Sequence, residues 1–289
     1  MEFKMFSVIV GTPACIAKCP FCVSCENIEE YKTAPSINWR NFDIACNLAG
    51  RSNVDTVMLT SRGEPLLFPE QITEYLQHLQ KYKFPFVELQ TNGILFTKNR
   101  QKLDEYVRQW YSLGLTTITI SVVSEQYDKN KANYCPNSNY IDLGELIEYL
   151  HGIGFSLRLT CILQRDVTYT VDDIKSFIKY AKEQQVEQTT LRPLNREYRR
   201  ESIKPYIENH LLKEEDVQSI RKYLEEEGTR VLDINRIGSI YDVNGQNVML
   251  SVPLDMNTRD TNPENGRNLI FFQDGHLRYE WEKPGAILL

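Results

Sequence analysis

The feature that most constrains the fold is an alternation. Short β-branched stretches are followed by segments of helical periodicity, six times between residues 6 and 192. FSVIV (6–10), VDTVML (54–59), FVELQ (86–90), TTITISVV (116–123), SLRLTCIL (156–163) and QTTLR (188–192) read as strands. Between them, Trp39, Phe42, Cys46 and Ala49 fall at helical spacing. Pro69 opens a helix whose Ile72, Tyr75, Leu76 and Leu79 stand at i, i+3, i+4 and i+7. Leu103, Tyr106, Val107 and Trp110 line another helix, which Gly114 ends. A further helix around 142–151 stops near Gly152 and Gly154. Thr170-Val-Asp-Asp starts the next like a capping box, with Asp standing in for Glu.

Alternation of this kind implies an α/β fold with a parallel sheet and right-handed crossovers. Six units are too few for a closed eight-unit barrel, so residues 1–200 are expected to form an open, partial (β/α)6 barrel. Its chemistry should gather at the C-terminal ends of the strands. Residues 201–289 differ: a charged helix near 212–227 leads into turn-rich sequence with Asn244-Gly245 and Asp274-Gly275, both hairpin signals. This tail is expected to be an α+β appendage that caps one barrel opening. A chain of 289 residues, 42% hydrophobic, can bury such a core, and its 12 Phe and 16 Tyr argue against wholesale disorder. A net charge of −6 argues against nucleic-acid binding over the whole surface. No stretch approaches the roughly 20 apolar residues of a membrane span.

Four of the seven cysteines crowd into GTPACIAKCPFCVSC (11–25), and the other three, Cys46, Cys135 and Cys161, are scattered. The apolar run near the start is too short for a signal sequence, so a reducing cytoplasm is expected, where clustered thiols bind metal or do catalysis. Cys15-x3-Cys19-x2-Cys22 puts three thiolates on the loop after the first strand. Three ligands suit a catalytic zinc with an open position, or an iron–sulfur cluster with one iron unligated by protein. Cys25 would complete the four ligands of a structural zinc. Spacing alone leaves these open.

Cys15, Cys19, Phe21 and Cys22 match, position for position, the C-x3-C-x-aromatic-C signature of the radical S-adenosylmethionine (SAM) superfamily, which the chain resembles over about residues 6–193. TSRGEPLL (60–67) is similar to that family's Gly-Gly-Glu-Pro motif, with Arg62 in place of the first glycine. QTNG (90–93) is similar to the Thr-Asn-Gly that closes its third strand. Taken alone, these two are a tight turn before a helix and a polar turn with Gly at positive φ. The resemblance implies one [4Fe–4S] cluster held by Cys15, Cys19 and Cys22, with its fourth iron chelated by SAM, so that Cys25 is not a ligand. It implies SAM contacts at Phe21, Gly63, Glu64, Asn92, Ser121, Arg158 and Thr160, with Glu64 accepting the SAM ammonium and Arg158 pairing with the methionine carboxylate. The implied activity is reductive cleavage of SAM to methionine and a 5′-deoxyadenosyl radical that takes hydrogen from a substrate. A flavodoxin- or ferredoxin-type protein is the implied electron donor.

Substrate identity is not written in these motifs. LRPLNREYRRESIK (191–204) sets Arg192, Arg196, Arg199 and Arg200 directly after the sixth strand. Planar guanidinium forks at a barrel mouth suit a phosphate or carboxylate, hence a small anionic molecule or nucleotide; the plain alternative is a solvated helix face. Cys135, in NKANYCPNSN, is a candidate hydrogen-atom donor to a substrate radical, or a buried bystander. No cysteine follows Cys161, so a single cluster is expected. NLIFFQDGHLRYEWE (268–282) is similar to the strand-turn-strand found late in peptide-modifying and cofactor-synthesising members, without their cysteines. Two other readings stay open: epimerisation or crosslinking of a ribosomally made peptide, and a non-catalytic zinc- or iron–sulfur-binding protein.

Overall fold

A computed structural model describes residues 3–22, 36–134, 139–194, 201–234, 238–251, 268–281 and 285–289. Six parallel strands stand side by side in chain order: β1 (Met5–Ile9), β2 (Thr56–Thr60), β3 (Phe86–Thr91), β4 (Thr117–Val122), β5 (Ser156–Leu163) and β6 (Gln188–Pro193). The crossovers carry α1 (Trp39–Arg51), α2 (Pro69–Leu79), α3 (Ile94–Lys98), α4 (Arg100–Ser112), α5 (Tyr127–Tyr134), α6 (Leu143–Ile153) and α7 (Val171–Glu183). This is the expected α/β architecture, an open partial barrel.

Successive strand residues point to opposite faces, and here the two faces differ in chemistry. Val57, Leu59, Leu89, Ile118, Ile120, Leu157, Leu159 and Leu191 are fully buried in one core with Phe42, Ile72, Trp110, Leu150 and Phe177 of the helices. Each such side chain contributes about 1.5–3 kcal/mol by leaving water. Trp110 also satisfies its one polar atom, donating Nε1–H to Thr73 Oγ1 at 2.8 Å. The opposite face is polar. Gln90, Thr119, Arg158 and Gln188 lie in one register row across β3 to β6, and Ser121, Thr160 and Thr190 in the next. The expected capping box forms at α7: Thr170 Oγ1 accepts from Asp173 N at 3.1 Å, and Asp173 returns a bond to Thr170 N at 3.0 Å.

The C-terminal residues extend both edges of this sheet. After α8 (Lys204–His210) and α9 (Glu214–Glu227), β7 (Thr229–Ile234), β8 (Gly238–Val243) and β9 (Gln246–Ser251) form an antiparallel meander, and β9 adds parallel to β6. β10 (Asn268–Phe271) adds parallel to β1 and turns back into β11 (Leu277–Arg278). The β8–β9 turn has φ 53° at Asn244 and 85° at Gly245, the positive pair that an Asn-Gly hairpin supplies. No helix among the described residues is long and apolar enough to cross a membrane.

Candidate active site

The cysteine loop leaves the C-terminal end of β1 and is clamped by the turn that leaves β2. Val10 N donates to Thr60 O at 2.7 Å, Ser61 Oγ to Thr12 O at 3.3 Å and Glu64 N to Ala14 O at 2.9 Å. The approach is too close for any side chain at residue 63: a Cβ on Gly63 would stand 2.0 Å from the Ala14 carbonyl oxygen. A glycine is therefore required one residue before Glu64, whatever else the turn does. Arg62 is buried, its guanidinium 5.0 Å above the Phe272 ring beyond β10.

Glu64 is 1% exposed and ties three chain segments together. Its carboxylate accepts from Thr91 Oγ1 at 2.5 Å, Leu66 N at 3.0 Å and Asn92 N at 3.0 Å. Burial pushes its pKa up to about 7, against the opposing pull of those three bonds. Asn92 continues the chain of contacts: its side-chain amide reaches Cys15 Sγ at 3.7 Å while its Oδ1 caps Ile94 N at 3.0 Å. Ala17 N also points at Cys15 Sγ, at 3.4 Å. Cys15, Cys19 and Cys22 are in no disulfide. Cys15 is exposed, while Cys19 and Cys22 are half-buried.

The structure thus brings together Cys15, Gly63, Glu64 and Asn92, which the sequence motifs singled out. Ser121 and Thr160 stand in register on the polar face. Arg158 is on the same face but already engaged: its Nη1 donates to Glu88 Oε2 at 2.6 Å and its Nε to Gln188 Oε1 at 2.8 Å. Arg192 stands in register with Ile162 at the C-terminal end of β6. Its side chain is exposed. Among the described residues its guanidinium makes no hydrogen bond or ion pair. Cys25, Cys135, Arg196, Arg199 and Arg200 lie outside the described residues.

An aromatic wall backs the cysteine loop. Phe21 meets Tyr134 edge-on at 6.1 Å and Tyr206 of α8 at 6.4 Å. Tyr206 donates to Gln164 Oε1 at 2.8 Å, just past the end of β5. Motif reading missed Thr91 and Tyr206. Thr91 was visible inside Gln-Thr-Asn-Gly, whereas Tyr206 sits in a short helix with no local signature.

Three thiols on one loop, N–H donors at a sulfur and a polar strand-end face make a site suited to a thiolate-held cluster, since hydrogen bonds to sulfur support such ligands. Among the described residues no three His, Cys, Asp or Glu side chains gather as ligands of a single ion would. The fold is that of the radical SAM enzymes. Streptococcus suis SuiB bound to its precursor peptide SuiA is similar with a TM-score of 0.67 at 14% identity, over 97% of this chain and 60% of SuiB. Native anSMEcpe with bound AdoMet and Kp18Cys peptide is similar at 0.62 and 15%, over 99% of this chain and 77% of that one. A radical SAM methyltransferase from Sphaerobacter thermophilus gives 0.52 and 15%, over 75% and 63%. This chain therefore spans about 60% of the length of SuiB. No family model and no curated protein sequence matches it.

Proposed function

We propose that this chain is a radical SAM enzyme in which Cys15, Cys19 and Cys22 hold one [4Fe–4S] cluster and the polar strand ends bind SAM. The observation that carries the reading is the joining of Cys15, the Gly63-Glu64 turn and Asn92 into one hydrogen-bonded unit at the C-terminal mouth of the sheet. When bound, the reduced cluster supplies the electron that cleaves SAM to methionine and a 5′-deoxyadenosyl radical, which takes a hydrogen atom from substrate.

The chain's own part is positioning. Glu64 serves here as an internal tie, because its carboxylate already accepts three protein hydrogen bonds; the Arg62-Gly63 backbone it fixes presents the carbonyls to the SAM ammonium. Asn92 and Ala17 N–H steady the Cys15 sulfur. Ser121 and Thr160 offer hydroxyls to the sugar or carboxylate of SAM. Arg158, held by Glu88 and Gln188, adds positive charge behind them. A flavodoxin- or ferredoxin-type donor in the cytoplasm would deliver the electron.

For the substrate we propose an anionic small molecule or nucleotide that meets Arg192, with Arg196, Arg199 and Arg200 continuing the basic stretch. A guanidinium with no hydrogen-bond or ion-pair partner among the described residues, at a strand C-terminus, supports a carboxylate or phosphate ligand. A second reading, modification of a ribosomal peptide with Cys135 as hydrogen donor, is favoured by the likeness to SuiB and anSMEcpe, both seen with peptides. Metal analysis after anaerobic reconstitution tests the common core. Cys15→Ala, Cys19→Ala and Cys22→Ala should each lose the iron and Cys25→Ala should keep it; zinc held by all four cysteines would contradict the reading.

A further inference from the structure

Two buried phenols stand behind the cysteine loop with no acceptor for their hydroxyls among the described residues. Tyr134 is 3% and Tyr140 2% exposed, and among the described residues neither hydroxyl has a hydrogen-bond partner. A buried O–H without an acceptor is costly, and such exceptions in a folded protein call for a reason.

Neither ring is placed to swing out to water. Tyr134 stacks on Tyr140 at 5.7 Å and meets Phe21 edge-on at 6.1 Å. Its carbonyl accepts Lys18 N of the cysteine loop at 3.0 Å. Tyr140 packs against the Tyr127 ring at 6.1 Å, and its N–H donates to the Tyr127 hydroxyl at 3.0 Å. Phe21 and Lys18, which meet Tyr134, flank Cys19 in the chain, and Phe21 directly precedes Cys22, so the Tyr134–Tyr140 pair is packed against the segment that carries both thiols. Cys161 is turned to the helix side, where its Sγ lies 3.5 Å from Val123 O. Cys19 and Cys22 are half-buried on the cysteine loop.

A thiol is a weak acceptor, while a thiolate or sulfide carries negative charge and accepts well. We propose that Tyr134 and Tyr140 are positioning residues for the cluster, donating O–H···S hydrogen bonds to the sulfurs around Cys19 and Cys22 and thereby raising its reduction potential. The inference rests on the cluster reading above. Its sign follows from charge: reduction adds an electron to the cluster, and a donor at sulfur stabilises the added charge. Hydrogen bonds to sulfur are among the factors that set the potentials of such clusters.

The test uses Tyr134→Phe, Tyr140→Phe and the double variant, which keep the ring and delete only the hydroxyl. The midpoint potential of the reconstituted protein is read by redox titration followed by electron paramagnetic resonance, with iron content and the thermal melt of the iron-free protein alongside. Tyr134→Phe is expected to retain its iron and to shift the reduction equilibrium about tenfold against reduction, a fall of about 59 mV for one electron. The double variant should fall further. Iron-free variants should melt no lower than wild type, because each loses a donor that has no partner among the described residues. A double variant with the wild-type midpoint overturns the inference while leaving the cluster reading intact. So does a lower iron-free melting temperature in the single variants, which would reveal a partner within the protein. Wild type that takes up no iron removes the cluster reading, and this inference with it.

Discussion

Asn92 spans two residues that sequence keeps far apart: its side-chain amide reaches Cys15 Sγ at 3.7 Å while its backbone N–H donates to Glu64 Oε2 at 3.0 Å. Three motifs on three βα units are thereby one mechanical object. Damage to the second or third is expected to be felt at the first.

Gly63→Ala tests that coupling without touching a ligand. The added Cβ would stand 2.0 Å from a backbone oxygen of the cysteine loop, which no side-chain rotation relieves. The loop must move, so the variant is expected to lose most of its bound iron after reconstitution although all its cysteines remain. Full iron occupancy would show that the clamp is dispensable.

Glu64→Ala leaves the Thr91 hydroxyl and the Leu66 and Asn92 N–H groups buried without their acceptor. At about 1–3 kcal/mol for each unsatisfied group, the expected loss is about 3 kcal/mol or more, with impaired iron binding. Thr91→Val removes a single partner and should lose about 1–3 kcal/mol. Denaturant unfolding gives both numbers. Preserved stability and iron with weakened SAM binding would instead show that the carboxylate faces SAM, as the family resemblance implies.

Arg158 and Glu88 form a pair whose side chains are 27% and 4% exposed. Removing Arg158 strands a buried carboxylate, so Arg158→Ala is expected to lose about 3 kcal/mol. Combining Arg158→Met with Glu88→Met should recover much of that. A double-mutant cycle measures the coupling. An Arg158→Ala variant of unchanged stability but weakened SAM affinity would place its guanidinium on the SAM carboxylate.

At α7 the sign of a pH effect can be worked out. Burial acts to raise the Asp173 carboxyl, but hydrogen bonds from the Thr170 side chain and backbone and from Tyr169 N, with Lys129 nearby, outweigh it and hold it below its ordinary value. A depressed carboxylate contributes stability above its unfolded pKa and loses it as pH falls through the folded one. Thr170→Ala should destabilise by about 1 kcal/mol at neutral pH. Asp173→Asn should flatten the acid side of the stability profile.

Much of this architecture is legible in the sequence. The six strands follow from β-branched runs, and the helices from the spacing of residues such as Ile72, Leu76 and Leu79. The Thr170 capping box was readable because both partners lie within four residues. What local pattern could not supply was pairing at a distance. Nothing near Arg158 indicates that Glu88 and Gln188, 70 and 30 positions away, occupy its guanidinium. Nor does a turn-rich tail disclose that β10 joins β1 while β9 joins β6, since edge pairing depends on which strands are left open after the barrel forms.

The most direct test of the account is the product of SAM in the reconstituted, chemically reduced protein without any substrate. The account predicts slow formation of 5′-deoxyadenosine and methionine in wild type, and none in Cys15→Ala, Cys19→Ala or Cys22→Ala. Wild-type protein that carries its cluster, binds SAM and yet forms no 5′-deoxyadenosine on reduction would contradict it.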